Sequence, residues 1–345
     1  MEVTPTASEQ RYATQSGVND APVAEDVIAS NSPAISRDAT PPQKSQHSSY
    51  VVVVNNGAGS SSRFDQKGLK AALPDATFDV LSVAPSGLDA AFDKAFNDRP
   101  SAVIVVGGDG TARNAAARAV VTGIPVILMP GGTMNVLPKI IFGHGDLARA
   151  TTELPMLRPR LLDVGRIGGE SFFLSAAFGF PGPMTRLREA VRSQHKFHRI
   201  WQAAGALLQN IGPSLHCRIG WRLDGMKWRN AHSLVIAVGG LERILAPGGE
   251  EHGHHLEIAS LRIRSVWQML FFGAAFLSGG WRASPRLRIA RAQQVDIKLP
   301  SRRPLVVLDG EPMRISRANI VTLDRDALPV LAIPRDATSE ATQRA

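Results

Sequence analysis

Two glycine-rich turns, each placed directly after an unbroken apolar run, carry residue types suited to phosphate chemistry. The run Val103–Val106 leads into Gly107-Gly108-Asp109-Gly110-Thr111, and the run Val126–Met129 leads into Pro130-Gly131-Gly132-Thr133-Met134-Asn135. Glycine has no Cβ, so backbone N–H groups in such turns can approach a phosphate, while threonine hydroxyls can donate further hydrogen bonds. The predicted nucleotide-binding residues in these turns are Gly107, Gly108, Asp109, Gly110, Thr111, Gly131, Gly132, Thr133 and Asn135.

The elements that must position these turns are short parallel strands followed by helices. Brief β-branched apolar runs are typical of buried parallel strands, and an open parallel sheet binds its ligands at the carboxyl edge. The alanine-rich segment 112–121 predicts a helix that begins at the first turn. A third apolar run, Tyr50–Val54, leads into a Gly/Ser loop in which Asn55 is predicted to brace the loop or contact the nucleotide.

A pair of carboxylates near the C-terminus forms the block Leu308-Asp309-Gly310-Glu311-Pro312. On a strand, residues two apart point to the same face, whereas in a turn the two side chains diverge. Asp-Gly between apolar residues is also a signal for a tight hairpin turn. The sequence leaves both geometries open.

Taken together, these three blocks resemble the diacylglycerol kinase catalytic-domain family, which includes soluble bacterial lipid kinases, sphingosine kinases and ceramide kinases. The resemblance covers roughly residues 50 to 334. It implies an α/β nucleotide-binding domain with a parallel sheet, of the NAD kinase and diacylglycerol kinase type, and then an all-β sandwich domain. It also implies ATP and Mg²⁺ as cofactors, Asp109 as a carboxylate near the nucleotide, and Asp309 or Glu311 as the general base toward a lipid hydroxyl.

Some positions depart from the family's pattern. Asn114 stands where relatives usually have Glu, Val136 where they usually have Asp, and Glu251-His252-Gly253-His254-His255 where they have an acidic loop. Two carboxylates are therefore expected to be missing near the nucleotide, and the metal ligands stay unknown. These departures leave open the hypothesis that the chain is a catalytically degenerate lipid- or nucleotide-binding protein. A third hypothesis is a soluble-substrate kinase such as an NAD kinase.

Two further features have alternatives that the sequence does not decide. The histidines of the 251–255 loop could bind a transition metal or be solvated loop residues. Asp163 matches a family position at the domain junction, where its role is structural or catalytic.

The periodicity predicts the following organisation. Residues 1–48 form a disordered tail, residues 49–161 an α/β domain to which the segment 325–335 returns, residues 162–324 a β-sandwich that takes the lipid substrate, and residues 336–345 a second disordered tail. In the α/β domain the pattern predicts strands over 50–54, 78–83, 102–106 and 125–129, and helices over 65–73, 87–97, 111–121 and 134–142. In the sandwich the pattern predicts short strands over 161–167, 171–177, 215–223, 227–238, 256–264, 286–290, 294–299, 304–308 and 320–323. Two helical stretches, 183–210 and 265–279, interrupt them.

The charge distribution favours an anionic partner. The 345 residues have a net charge of +9, and the first 48 hold three Lys/Arg and six Asp/Glu, a net charge of −3, so the remainder has +9 − (−3) = +12. Such a basic body suits ATP, a lipid substrate at a membrane surface, and peripheral contact with an anionic membrane. Basic groups on the 183–210 helix and at Arg282–Arg291 could face that membrane or be solvated. Nucleic acid is excluded as a partner, because no nucleic-acid motif is present and aromatic residues are 6% of the chain.

The remaining signals indicate a cytoplasmic protein, with the inner membrane face as its site of peripheral contact. A single cysteine, Cys217, excludes an intramolecular disulfide. The N-terminus has no basic region followed by an apolar core. The longest apolar stretch, Val266–Leu277, is shorter than the roughly 20 residues that a spanning helix needs.

Overall fold

A computed structural model describes residues 48–179, 218–223, 225–245, 253–263, 265, 268, 282, 284–299, 305–315 and 320–334. All of them belong to one compact unit of the chain, residues 47–345. Both predicted tails, the 183–210 helix, most of the 265–279 helix, Cys217 and His252 lie outside the described residues.

The described part of the chain contains sixteen strands and six α-helices. The strands are β1 (Ser49–Asn55), β2 (Thr77–Val83), β3 (Ala102–Gly107), β4 (Val126–Pro130), β5 (Arg158–Ile167), β6 (Glu170–Phe172), β7 (Ser175–Gly179), β8 (Ile219–Leu223), β9 (Arg229–Ala231), β10 (Ser233–Val238), β11 (Leu256–Leu261), β12 (Leu287–Ala292), β13 (Gln294–Lys298), β14 (Leu305–Leu308), β15 (Glu311–Arg314) and β16 (Ile320–Ala332). The helices are α1 (Gln66–Ala72), α2 (Leu88–Asn97), α3 (Asp109–Thr122), α4 (Val136–Phe142), α5 (Leu147–Thr152) and α6 (Glu242–Leu245).

The first layer is the predicted α/β domain. Strands β2, β1, β3 and β4 lie side by side in that order and all run parallel. The central strands β3 and β4 are buried along their whole length, which explains their continuous apolar sequence. Helices follow these strands, so the glycine turns after β1, β3 and β4 meet at one edge of the sheet.

The longest strand, β16, belongs to the same sheet, whose order continues β4-β16-β13-β8-β9 and makes it the larger of the two sheets. β16 pairs with β5 on both sides of a bulge, runs parallel to β4 at Val330 and Val126, and pairs with β13 through its first residues. Between Asp324 and Leu328 the register shifts, where the run Asp324-Arg325-Asp326 interrupts the apolar alternation. The sequence pattern predicts only a short strand here, because these charged residues end the alternation before the bulge.

The second sheet packs against the far end of the first one. Its order is β12-β11-β10-β7-β14-β15, with antiparallel pairing throughout. The core between the sheets is formed by large apolar side chains that include Phe172, Phe178 and Trp221. The predicted fold class, an α/β domain with a mostly parallel sheet followed by an antiparallel β domain, is confirmed. No helix among the described residues is long and apolar enough to span a membrane.

Candidate active site

The two glycine turns touch through their backbones. Gly131 donates its N–H to the carbonyl of Gly107 at 3.0 Å. A Cβ added at Gly131 would lie 2.7 Å from Gly107 N, and one added at Gly132 would lie 2.6 Å from Gly108 Cα. Since these neighbours are backbone atoms, a side chain at either position requires the turns to move apart. Glycine is therefore needed here for close approach.

Asp109 joins the first turn to the helix that follows the second. Its carboxylate accepts hydrogen bonds from the backbone N–H groups of Asn135 at 3.1 Å and Val136 at 2.7 Å. It thus satisfies donors at the start of α4, which every helix leaves without an internal partner. Asn135 is buried and left-handed, with a φ of +50°, and its side chain forms two hydrogen bonds with the backbone of Gly132.

The loop after β1 belongs to the same edge. Asn55 donates from Nδ2 to Thr111 Oγ1 at 2.9 Å, and both side chains are buried. Asn55 also accepts the N–H of Gly57 at 2.9 Å, so its side chain braces its own loop. The N–H of Ser60 reaches the carbonyl of Gly131 at 2.9 Å. The predicted residues of all three loops are therefore brought together, with Thr133 exposed at the surface.

The Asp309-Gly310 pair forms a two-residue hairpin turn between β14 and β15. Both residues have positive φ, +52° and +93°, as a type I′ turn requires. The carboxylate of Asp309 is turned inward and accepts the backbone N–H groups of residues 173 to 175, the shortest of them from Leu174 at 2.7 Å. Burial raises the pKa of Asp309, and these three hydrogen bonds together with a nearby arginine oppose that rise.

That arginine is Arg113, which sequence reasoning missed. Its Nε lies 3.5 Å from Asp309 Oδ2, and its Nη2 donates to the carbonyl of Ser171 at 3.0 Å. A further contact of 3.8 Å reaches Glu170. Arg113 therefore connects α3 to the β5–β6 hairpin, through Glu170 and Ser171, and to the β14–β15 hairpin, through Asp309. The one sequence signal for it is a cation within an otherwise alanine-rich helix.

Glu311 points the other way from Asp309. Its side chain is exposed at the start of β15, and a Cβ added at Gly110 would lie 3.3 Å from Glu311 Oε1. The Glu311 carboxylate thus lies against the first turn of α3, beside the glycine turns. The two acidic residues of the block diverge, with Asp309 inside the fold and Glu311 at the surface.

The departures at Asn114 and Val136 have structural partners. Asn114 donates to Asp89 of α2 at 3.0 Å, and Arg118 binds the same carboxylate at 3.2 Å. The side chain of residue 114 is therefore engaged with α2. Val136 packs partly buried against the core, and its backbone N–H is one of the donors to Asp109.

Asp163 and the histidine-containing loop meet at the domain junction. His254 Nδ1 lies 2.9 Å from Asp163 Oδ1, and the same oxygen accepts the N–H of Asp326 at 3.0 Å. A hydrogen bond to Asp163, and then the charge of that carboxylate, raise the pKa of His254. Asp163, His254 and Asp326 have possible metal-ligand atoms within 4.8 Å of one another. Among the described residues, this cluster is the candidate metal site that contains a histidine of the 251–255 loop, and its other members are aspartates.

Comparison with known proteins agrees with this architecture. Residues 49–167 match the diacylglycerol kinase catalytic domain, which confirms the family resemblance over the domain that carries the glycine turns. A proposed diacylglycerol kinase from Bacillus anthracis str. Sterne superimposes with a TM-score of 0.63 at 18% identity, covering 84% of this chain and 99% of that one. A crystal structure of a diacylglycerol kinase from the same bacterium gives a TM-score of 0.58 at 15% identity, with 84% and 99% covered. At such identities these structures establish the fold.

Proposed function

We propose that the protein is an ATP-dependent lipid kinase that phosphorylates a hydroxyl group of a diacylglycerol-like or sphingoid lipid. The observation that carries this proposal is the placement of Glu311. An exposed carboxylate lies against the N-terminal turn of α3, directly beside two glycine turns that suit a polyphosphate. A phosphoryl donor and a base for the acceptor can therefore meet at one point.

The nucleotide phosphates are assigned to the turns 107–111 and 131–135. The positive end of the α3 dipole and the close backbone approach of the two turns favour an anion there. Asp109 at this edge provides carboxylate oxygens of the hard kind that Mg²⁺ prefers and is the residue that would hold that ion, which leaves Glu311 for the base role. Bound with ATP, Mg²⁺ neutralises part of the phosphate charge.

The base assigned to the acceptor is Glu311 rather than Asp309. Glu311 takes the proton of the lipid hydroxyl as the oxygen bonds to the γ-phosphorus, and the bond between that phosphorus and the bridging oxygen breaks to release ADP. Asp309 is already held by three backbone N–H groups and its side chain is 2% exposed, so a lipid hydroxyl has no access to it. Its role is to fix the turn from which Glu311 projects.

The lipid acceptor is supported by the family of the 49–167 domain and by the basic character of the chain. A cationic protein is drawn to anionic headgroups, where such acceptors are found. We place the protein in the cytoplasm, in peripheral contact with the inner membrane face.

The test is transfer of labelled γ-phosphate from ATP to a panel of lipids in mixed micelles with Mg²⁺. Glu311→Gln should lower kcat by at least about 100-fold, the usual contribution of a general base, with the apparent KM for ATP little changed. Asp75→Asn, an exposed carboxylate after α1, serves as the matched control and should keep wild-type activity. Full activity in Glu311→Gln would remove Glu311 from the base role.

A degenerate binding protein of the same fold is the second candidate. It is favoured by Asp109, whose two oxygens both accept backbone hydrogen bonds, and by the absence of a carboxylate at Val136. Nucleotide binding without transfer to any lipid would support it. Including NAD in the acceptor panel tests the soluble-substrate kinase at the same time.

A further inference from the structure

The exposed face at the β9 end of the larger sheet combines apolar and cationic side chains. Trp228, Met226 and Ile320 are 42%, 53% and 48% exposed. The strand register places Gly220 opposite both Lys298 and Asn230, and Asp296 opposite both Arg222 and Ile320. Side chains at paired positions share a face of the sheet.

The indole of Trp228 lies over Gly220 on this face. A Cβ added at Gly220 would lie 3.5 Å from the Trp228 ring, so the indole covers the glycine. Cationic groups lie over the same ring: Arg222 Cζ is 4.8 Å and Lys298 Nζ 4.9 Å from the ring centroid. We call the surface formed by Arg222, Met226, Trp228, Lys298 and Ile320 the Trp228 face.

The charge around this face is positive. By strand alternation Arg218 shares the face of Gly220 and Arg222, so with Lys298 the two strands place three cations on it against Asp296, a net charge of 3 − 1 = +2. Arg222 pairs with Asp296 at 2.6 Å, while its guanidinium also lies over the indole.

We infer that the Trp228 face docks the protein on an anionic lipid bilayer. An indole flanked by cations suits the boundary between headgroups and acyl chains, where tryptophan is enriched, and the long cationic side chains can reach anionic headgroups. The exposed Met226 and Ile320 provide apolar contact that a phosphate backbone of nucleic acid would not use. This inference rests on the proposed function, because it names the surface that makes the membrane contact; the binding test needs neither nucleotide nor acceptor, so docking and kinase activity can fail separately.

The test is co-sedimentation of the full chain with vesicles of phosphatidylcholine, alone or mixed with phosphatidylglycerol, in the absence of nucleotide. Wild type should bind the mixed vesicles and release them at high salt, because screened charges attract less. Lys298→Gln should weaken binding about fivefold, as expected for one cation at an anionic surface. The double change Met226→Ser with Trp228→Ser should weaken it further on both vesicle types.

Two control substitutions outside the Trp228 face test whether a loss of vesicle binding is specific to that face. Met156→Ser and Lys67→Gln alter an exposed methionine and an exposed lysine outside the Trp228 face and should leave vesicle binding unchanged. Because Trp228 covers Gly220, its variant is checked by thermal unfolding, and Lys298→Gln gives an independent answer. Absence of vesicle binding, equal losses in the control variants, or tighter binding to a DNA duplex that displaces the vesicles would each overturn the inference.

Discussion

Arg113 and Asp309 join the helix of the phosphate turn to the hairpin that carries Glu311. The Nε of Arg113 is 3.5 Å from Asp309 Oδ2, and both side chains are largely buried, at 15% and 2% exposed. Because Asp309 also binds the backbone of residues 173 to 175, the contact fixes three segments relative to one another. The position of Glu311 over Gly110 depends on this arrangement.

Replacing Arg113 with Met should destabilise the protein in a pH-dependent way. Burial raises the pKa of Asp309, and the guanidinium opposes that rise by favouring the ionised form. Loss of the cation therefore costs most when Asp309 is ionised, about 3 kcal/mol, because a buried carboxylate is then left without its counter-charge. The loss of stability should be present at neutral pH and shrink as the pH falls toward about 4, because folding raises the pKa of Asp309 and the guanidinium then faces a carboxyl that is becoming protonated.

The measurement is urea unfolding of wild type and variant at both pH values. Arg118→Met on the same helix is the control, because Arg118 pairs with the exposed carboxylates of Asp89 and Asp93. Exposed pairs contribute less than about 1 kcal/mol, so this variant should lose little stability. An Arg113→Met deficit that does not change with pH would contradict the coupling to Asp309.

The close approach of the two glycine turns predicts a difference between two similar substitutions. Gly132→Ala places a methyl group 2.6 Å from Gly108 Cα, so backbone must move, whereas Gly108→Ala meets its nearest atom at 3.7 Å, an ordinary contact. Gly132→Ala should therefore cost about 2 kcal/mol, in the range found for overpacked sites, and weaken ATP binding. Gly108→Ala should fold as wild type does. Urea unfolding and titration with a fluorescent ATP analogue would show whether the two variants instead behave alike.

Part of this site could be predicted from the sequence and part could not. The glycine turns could be predicted from local sequence, because a short apolar run that ends in glycines is typical of a buried strand followed by a tight turn. The split between Asp309 and Glu311 could not be predicted, since it depends on whether residues 309 and 310 form a turn or continue a strand. Arg113 was missed for a related reason: its partners are 57 to 196 residues away in the chain, and no spacing rule connects them.

The same contrast holds for the fold. The strands of the α/β domain lie where their apolar runs predict them. In the second domain, one predicted strand over 171–177 is in fact two, β6 and β7, and the strand predicted over 320–323 extends to Ala332. Alternation identifies β structure but does not locate bulges and sharp bends, which are set by pairing with distant strands.

Asp109 should contribute to stability as well as to nucleotide binding. Its two oxygens accept the first N–H groups of α4, and an asparagine retains only one acceptor oxygen, so Asp109→Asn should cost about 1 kcal/mol, as for loss of a helix cap. Asp65→Asn is the matched control, because Asp65 caps α1 with one oxygen on the N–H of Lys67 and the other on the N–H of Gly68. Both variants should show similar losses in thermal unfolding, but ATP binding should fall only in Asp109→Asn. Equal ATP affinity in the two variants would remove Asp109 from the nucleotide site.

The pairing of His254 with Asp163 predicts a stability difference that disappears as the pH rises. Asp163 raises the pKa of His254 above its ordinary value near 6.5, first through the hydrogen bond and then through its charge. A group whose pKa is raised by folding stabilises the folded chain fully below its unfolded pKa, and this contribution is lost as the pH rises through the folded pKa.

His254→Gln should therefore lower the melting temperature at about pH 5.5 and approach wild type above about pH 8. The effect should be small, because the imidazole is half exposed and solvent screens the pair. Since Asp163 also holds the N–H of Asp326, Asp163→Asn should destabilise at every pH, and in that background the pH-dependent effect of His254→Gln should shrink to the smaller contribution of the Asp326 charge. A melting-temperature difference that persists unchanged in the Asp163→Asn background would show that His254 acts through another group.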